Sequence, residues 1–381
     1  MTSGPILNPG PRLLIGSGRT PDLAELLPPG PVLLVTDKSV RSLGLSDALF
    51  ATLSRDRDVI TFDSVEADPS RATLLAAVEA GRDGGANAVV GFGGGSPMDV
   101  AKLAAYLMGS GDDLDTIWGV GLARGRRLPL ALVPTTAGTG SEATPVAIIT
   151  VEGDEKRGVN SPVLIPDIAV LDAQLTVGKP RALTAATGID AMVHAIEAYT
   201  SARLKNPLSD MQAREALRLL GANLVRACET PDDLEARQAM LLGAHLAGLA
   251  FANAPVAGVH ALAYPLGGIH HLPHGLSNAL MLRPVLSFNA EAAREPYAEL
   301  AAILDPAAGS LGSQAAAARL IEQMEALILV AGLQPRLRDH GIAREEATML
   351  AREAMKQQRL LINNPVPIGE DDARRLYEAA W

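Results

Sequence analysis

The residues with the strongest claim to chemistry in this sequence lie in two stretches. In Thr187-Gly188-Ile189-Asp190-Ala191-Met192-Val193-His194-Ala195-Ile196-Glu197-Ala198-Tyr199-Thr200 a carboxylate and an imidazole stand four positions apart. That spacing places two side chains on one face of a helix, where they can grip one divalent ion. Thr187 is the expected N-cap of this helix. Two ligands leave a metal's coordination unfinished. The stretch from Gly258 to Gly275 offers His260, His270, His271 and His274 as further donors, so five of the seven histidines fall in the two stretches. Packing alone does not explain such a concentration.

A second chemistry is implied by Gly91-Phe92-Gly93-Gly94-Gly95-Ser96-Pro97-Met98-Asp99-Val100-Ala101-Lys102, which follows an apolar run and opens a helical pattern. Glycines let a backbone approach a pyrophosphate. Ser96 as N-cap and Pro97 as first helical residue would leave helix-terminal N–H groups facing the anion. Starting from Gly91, G-x-G-x-x-G would need a glycine at position 96, so the standard dinucleotide fingerprint is absent. Asp37 ends another apolar run, where its carboxylate can accept from an adenosine ribose and repel a 2′-phosphate, favouring NAD over NADP. A turn or cap role for Asp37 is the competing reading. The hydroxyl-rich loop Pro134-Thr135-Thr136-Ala137-Gly138-Thr139-Gly140-Ser141-Glu142 is equally readable as a cofactor-lining segment or as a self-capped loop.

The elements that would hold these groups fall into two patterns. From Arg12 to about Asp172 short apolar runs alternate with helical segments, the mark of a parallel α/β arrangement. Strands are expected at 31–36, 59–62, 88–91, 128–133, 147–151 and 168–171. Helices are expected after Thr20-Pro21-Asp22, Asp68-Pro69-Ser70 and Ser96-Pro97. Beyond Gly178-Lys179-Pro180 alternation gives way to long alanine- and leucine-rich helical spacing. The expected domains are therefore an α/β nucleotide-binding domain over 1–178 and an all-helical domain over 179–381, as befits a chain of 381 residues.

Composition excludes some partners. Net charge is −10 and no run of lysine or arginine exceeds two residues, which argues against nucleic acid and anionic membrane surfaces. The uncharged span 239–259 reads as a buried core helix rather than a membrane span. The single cysteine, Cys228, excludes an internal disulfide and suits a reducing compartment. The first residues lack a basic and then apolar leader pattern, so the expected location is the cytoplasm.

Taken together, Gly93-Gly94-Gly95-Ser96-Pro97-Met98-Asp99, the 134–142 loop, Asp190-x3-His194, His260 with His274, and the ending Asn363-Asn364-Pro365 resemble the iron-containing (group III) alcohol dehydrogenases over nearly the whole chain. The resemblance implies a dehydroquinate synthase-like fold, with NAD bound by the N-terminal α/β domain and a metal held by the all-α C-terminal domain. It carries the ligand role onto Asp190, His194, His260 and His274. Cofactor contacts are carried onto Asp37, Gly95, Ser96, Thr135, Thr136 and Lys156, with Gly93 and Gly94 completing the glycine loop. Lys156 lies in a polar turn, 153–157, where a solvated charge is the default. Tyr264 departs from the family, several members of which have a histidine there that is suspected of relaying protons. His270 or His271 is the expected substitute.

Three imidazoles and one carboxylate suit Fe2+, with Zn2+ a realistic replacement. His274 sits at the start of a new helix, whose positive end favours a neutral, coordinating ring. His270 and His274 are thus the residues given catalytic parts. The expected activity is hydride exchange between NAD(H) and a small primary or secondary alcohol, aldehyde or ketone, with the metal as Lewis acid. A reductase of oxo-acids or polyols, such as a maleylacetate reductase-like enzyme, and a non-catalytic NAD-binding protein are the alternatives. A homodimer or higher homo-oligomer is expected.

Overall fold

The structure is a computed structural model that describes residues 7–152 and 155–381. It divides into two compact units, Asn8–Val177 and Gly178–Trp381, the second also taking in Leu7.

The first unit is built on a six-stranded sheet. Its strands are β1 (Arg12–Ile15), β2 (Val32–Val35), β3 (Val59–Phe62), β4 (Ala88–Gly93), β6 (Leu130–Pro134) and β9 (Ile168–Leu171). All pairings are parallel, in the order β1-β9-β6-β4-β2-β3. β2, β4, β6 and β9 are buried at every residue, as continuous apolar runs must be when both faces of a parallel sheet are covered. Leu33, Val35 and Val89 pack on one face with α3 (Arg71–Asp83) and α4 (Gly95–Ser110). Val32, Leu34 and Val90 pack on the other with α1 (Lys38–Ser42) and α2 (Asp47–Leu53).

Chain order reverses between β2 and β4: from β2 the chain moves to β3 on one side, then returns to β4 on the other. A crevice at the carboxyl ends of such strands is the general ligand position of open α/β sheets. Asp37 follows β2, the glycine loop follows β4, and the hydroxyl loop follows β6. The sheet topology therefore collects all three at one edge.

A second sheet in this unit, β5 (Gly119–Val120), β8 (Lys156–Asn160) and β7 (Val146–Thr150), corrects one expectation. Lys156 opens a strand antiparallel to β7 instead of standing in a turn. Its charged, exposed start hid the strand; Gly153 and Asp154 of the expected turn lie outside the described residues. The two-residue β5 was likewise too short to register as a pattern, and β1 was not anticipated.

Two capping expectations also change. Ser70, not Asp68, caps α3, accepting from Thr73 N at 3.1 Å. Thr20 is buried and donates its hydroxyl to Asp172 at 2.7 Å, so only a short 3-10 turn forms at Thr20–Glu25.

The second unit is helical: α5 (Arg181–Thr200), α6 (Pro207–Glu229), α7 (Leu234–Asn253), α8 (Gly258–His270), α9 (His274–Asn289) and further helices to Ala380. α5 starts at Arg181 behind Pro180, so Thr187 is an interior residue and not an N-cap. Its hydroxyl bonds back to Leu183 O at 2.9 Å, which satisfies it without ending the helix. The span expected as one buried helix over 239–259 is two, α7 and α8, bent by 107°. Ser201 Oγ donates to Pro255 O at 2.7 Å inside the break. Among the described residues no single helix is long and apolar enough to cross a membrane. Cys228 is buried and unpaired by any disulfide, and burial pushes its thiol pKa up, as an inert core thiol requires.

Candidate functional site

α5 is buried at every residue from Gly188 to Thr200, which places Asp190 and His194 inside the helical unit. His260 comes from the first turn of α8 and His274 opens α9. One oxygen, Asp190 Oδ1, lies 3.9 Å from His194 Nε2, 3.9 Å from His260 Nε2 and 3.6 Å from His274 Nε2. The four ligand atoms are all within 4.8 Å of one another. Bonds of about 2.1 Å to a tetrahedral ion would set ligand atoms about 3.4 Å apart, so the cluster closes on a metal by drawing its most distant ligand atoms together by up to about 1.4 Å. Burial alone would drive Asp190 toward its neutral form. His194, His274 and His260, with the amide of Asn278, outweigh that penalty and hold the carboxyl below its ordinary pKa.

The donors are oriented by groups absent from the expected site. Glu197, on the same helix as Asp190 and His194, is 4 % exposed. Its Oε2 lies 2.6 Å from His260 Nδ1, and its Oε1 accepts from Val259 N at 2.6 Å. A carboxylate there keeps the proton on Nδ1 and turns the Nε2 lone pair toward the other ligands. Asn278 Nδ2 donates to Asp190 Oδ1 at 2.6 Å and lies 3.2 Å from His260 Nε2 and 3.3 Å from His274 Nε2, so its amide stands where these three ligand atoms converge and an ion there would displace it. Phe251 stacks on His194 with ring centroids 4.5 Å apart. Glu197 was readable in principle as a lone acid in an apolar helical stretch three residues after His194. Asn278 had only its place one turn after His274 to mark it.

Three ligand side chains are 3 to 6 % exposed, whereas that of His274 is 43 % exposed. The cluster is therefore open on the His274 side. Tyr264, which replaces the family histidine, has its ring 6.0 Å from that of His274. His270 and His271 do not join the four. His270 ends α8 with Nε2 3.2 Å from Glu346 Oε2. His271 adopts φ 54° and closes the helix, its N–H bonding Leu266 O.

The nucleotide-type residues meet in the first unit. Gly94, not Ser96, is the N-cap of α4, so Ser96 and Pro97 lie within its first turn. A proline there still forfeits no intrahelical bond, and the first-turn N–H groups of Gly95 and Ser96 still point out of the helix end. Thr135 N donates to Gly93 O at 2.9 Å, pinning the hydroxyl loop to the glycine loop. Thr36 Oγ1 donates to Phe92 O at 2.7 Å, tying the end of β2 to β4. At Gly93, with φ 153°, an added Cβ would meet Pro97 Cγ at 2.7 Å and Asp37 Oδ2 at 3.3 Å; at Gly95 it would meet Thr139 Cγ2 at 3.1 Å. The loops thus form a cradle that side chains would fill. Asp37 Oδ1 caps α1, accepting from Val40 N at 2.9 Å, which leaves Oδ2 beside Gly93. Thr135 is buried, while Thr136 and Ser96 are half-buried. Lys156 is engaged by Asp68 at 2.6 Å and not by any of these loops.

The family model described as iron-containing alcohol dehydrogenase matches residues 10–173, and that described as the Fe-containing alcohol dehydrogenase family, C-terminal, matches 184–381. The chain is 40% identical over 354 residues to long-chain-alcohol dehydrogenase 1 of Geobacillus thermodenitrificans, covering 92% of this chain and 89% of that one. It is 33% identical over 352 residues to the NAD-dependent methanol dehydrogenase of Bacillus methanolicus, covering 91% of each. Among solved structures, the alcohol dehydrogenase from Oenococcus oeni superposes with a TM-score of 0.95 at 32% identity, over 100% of both chains.

Proposed function

This chain belongs to the iron-containing alcohol dehydrogenase family, and from that premise we propose that Asp190, His194, His260 and His274 hold a divalent ion, Fe2+ in preference to Zn2+, while unit 8–177 binds NAD. The enzyme is an NAD-dependent oxidoreductase that exchanges hydride with a small primary or secondary alcohol and its aldehyde or ketone. The observation that carries the site assignment is the meeting of one carboxylate and three imidazole nitrogens around a single point.

When bound, the ion supplies Lewis acidity toward the alcohol or carbonyl oxygen, and the nicotinamide accepts or returns the hydride. The protein's own groups set the conditions. Glu197 fixes the His260 tautomer, and the exposed edge of His274 gives substrate its approach. Asp37 offers Oδ2 to a ribose hydroxyl, and the first turn of α4 with Ser96 and Thr136 offers donors to the diphosphate. His270 is assigned the hydroxyl proton, with Glu346 beside it to stabilise the imidazolium.

A lone buried cysteine supports a reducing compartment, the cytoplasm. The resemblance to the family is the support for a homo-oligomer. The test of function is NADH formation by protein loaded with Fe2+, loaded with Zn2+ or stripped by chelator, across ethanol, 1,2-propanediol and longer alcohols. Iron-dependent NADH production is expected. Failure to retain metal, or turnover indifferent to it, would overturn the metal assignment.

A further inference from the structure

The break between α7 and α8 is lined by buried residues, Ala254 and Ala257 among them. Carbonyls there have left one helix without entering the next, and a buried carbonyl needs a donor. Ser201 Oγ supplies one to Pro255 O at 2.7 Å, and Asn363 Nδ2 supplies one to Val256 O at 2.9 Å. The backbone carbonyl of Asn363 accepts from Ala202 N at 2.7 Å, just past the end of α5. One buried residue therefore joins the end of α5 to the approach to α8.

Asn364 reaches the third helix. Asn289 is the last residue of α9, and both amide side chains are buried. They exchange hydrogen bonds: Asn364 Nδ2 donates to Asn289 Oδ1 at 2.7 Å, and Asn289 Nδ2 donates to Asn364 Oδ1 at 3.0 Å. At Gly258, the first residue of α8, an added Cβ would meet Asn364 Oδ1 at 2.6 Å and Ile368 Cδ1 at 2.8 Å, so α8 begins in direct contact with this pair. The last helix, Glu370–Ala380, adds buried Tyr377, whose hydroxyl donates to Leu262 O at 2.6 Å. His260 is thereby bracketed by contacts to the C-terminal segment, at Val256 and Gly258 before it and at Leu262 after it.

A buried amide pair contributes little net stability over apolar residues of similar shape, whereas a hydrogen-bonded polar network specifies one arrangement of the elements it joins. The elements joined here are α5, α8 and α9, the three helices that carry the ligand side chains. We propose that Asn363 and Asn364 are positioning residues for the metal site, holding these helices in the arrangement in which Asp190, His194, His260 and His274 converge. This rests on the reading of those four residues as metal ligands. In the sequence Asn363-Asn364-Pro365 was only a mark of family resemblance, because the partners of its amides lie 75 and 107 positions away.

The test uses full-length protein and Co2+, whose visible bands report coordination geometry. Wild type is compared with Asn289→Leu, Asn364→Leu and the double variant, measuring Co2+ affinity by chelator competition, the spectrum of the loaded protein, and the thermal midpoint in excess chelator. Each single variant leaves one buried amide without its partner and should lower the midpoint; the double variant should recover much of that loss. The Co2+ Kd should nevertheless be raised roughly tenfold in the double variant, at the low end for groups that orient ligands, with altered bands. Wild-type affinity and spectrum in the folded double variant overturn the proposal. So does a Kd that worsens and recovers in step with the midpoint, which would make the pair a stability element. Should the double variant fail to fold, Asn363→Ala, which removes the bonds to Val256 O and Arg359 O and keeps the amide pair, decides by the same affinity and spectrum. Wild type that binds no Co2+ overturns the metal reading and this proposal with it, whereas unchanged variants beside a wild type that binds overturn this proposal alone.

Discussion

The metal cluster and the nucleotide cradle are built by opposite means. In the helical unit, four side chains from three helices, α5, α8 and α9, converge on one point and the backbone only carries them. In the α/β unit the proposed receptor is the backbone itself, through strand ends, a helix first turn and glycines whose missing Cβ atoms leave room. A site made of side chains fails when a donor is removed. A site made of backbone fails when its loops shift or an atom is added. The predictions below separate these two modes of failure.

The largest effect is expected from His260→Ala. One donor of four is lost and Glu197 is left buried without its imidazole, so bound metal and nearly all alcohol oxidation should disappear together. NADH affinity should remain, because no part of the 93–96 or 135–141 loops is touched. Metal analysis, turnover and an NADH titration on one preparation check this; retained metal with full activity would remove His260 from the ligand set.

His270→Phe comes next. If His270 carries the proton, turnover should fall on the order of 100-fold with metal retained. Tyr264→Phe is the paired control, since Tyr264 stands beside His274 while His270 stands beside Glu346. Wild-type turnover in the first variant with a loss in the second would transfer the proton step to Tyr264.

Glu197→Gln should weaken metal binding by roughly tenfold to a hundredfold, the usual range for a group that orients a ligand. Equilibrium metal titration of the apo-protein reads this directly, independent of turnover. The amide keeps the volume and one hydrogen bond but loses the charge that fixes the His260 tautomer. Unchanged metal affinity would reduce Glu197 to a cap on the start of α8.

What was legible in the sequence follows the same division. Asp190, His194, His260 and His274 were found because their residue types are rare and their spacing means something on a helix. The glycine loop was found because three consecutive glycines exceed the needs of a turn. Its helix start was displaced, from Ser96 to Gly94, because serine and proline imitate a capping pair. Thr187 misled for a related reason: a hydroxyl that bonds back within a helix has the same local sequence as one that begins it. Glu197 escaped because it acts through residues distant in sequence. Glu197 and Val259 are 62 positions apart. Single-chain spacing carries no signal for such partners until the fold brings them together. Lys156 shows the converse, a residue type suited to phosphate whose strand instead hands it to Asp68.

Asp37 offers the finest test, because there a side chain is proposed to contribute to the backbone-made site while also serving the fold. Its Oδ1 caps α1 and its Oδ2 stands beside Gly93. Replacement by glycine or alanine would disturb both functions at once, whereas serine is about as good an N-cap as aspartate and lacks the carboxylate. In Asp37→Ser the cap on Val40 should persist and the thermal midpoint should stay near wild type. The ribose then loses an anionic acceptor, which should weaken NAD, and a 2′-phosphate no longer meets a like charge, which should strengthen NADP. The ratio of the two dissociation constants should move toward NADP by roughly tenfold, the scale of one hydrogen bond to a charged group. Titrating both reduced cofactors against wild type and variant measures it. A ratio that stays fixed while the thermal midpoint falls would leave Asp37 as a helix cap and shift cofactor choice to the hydroxyl loop.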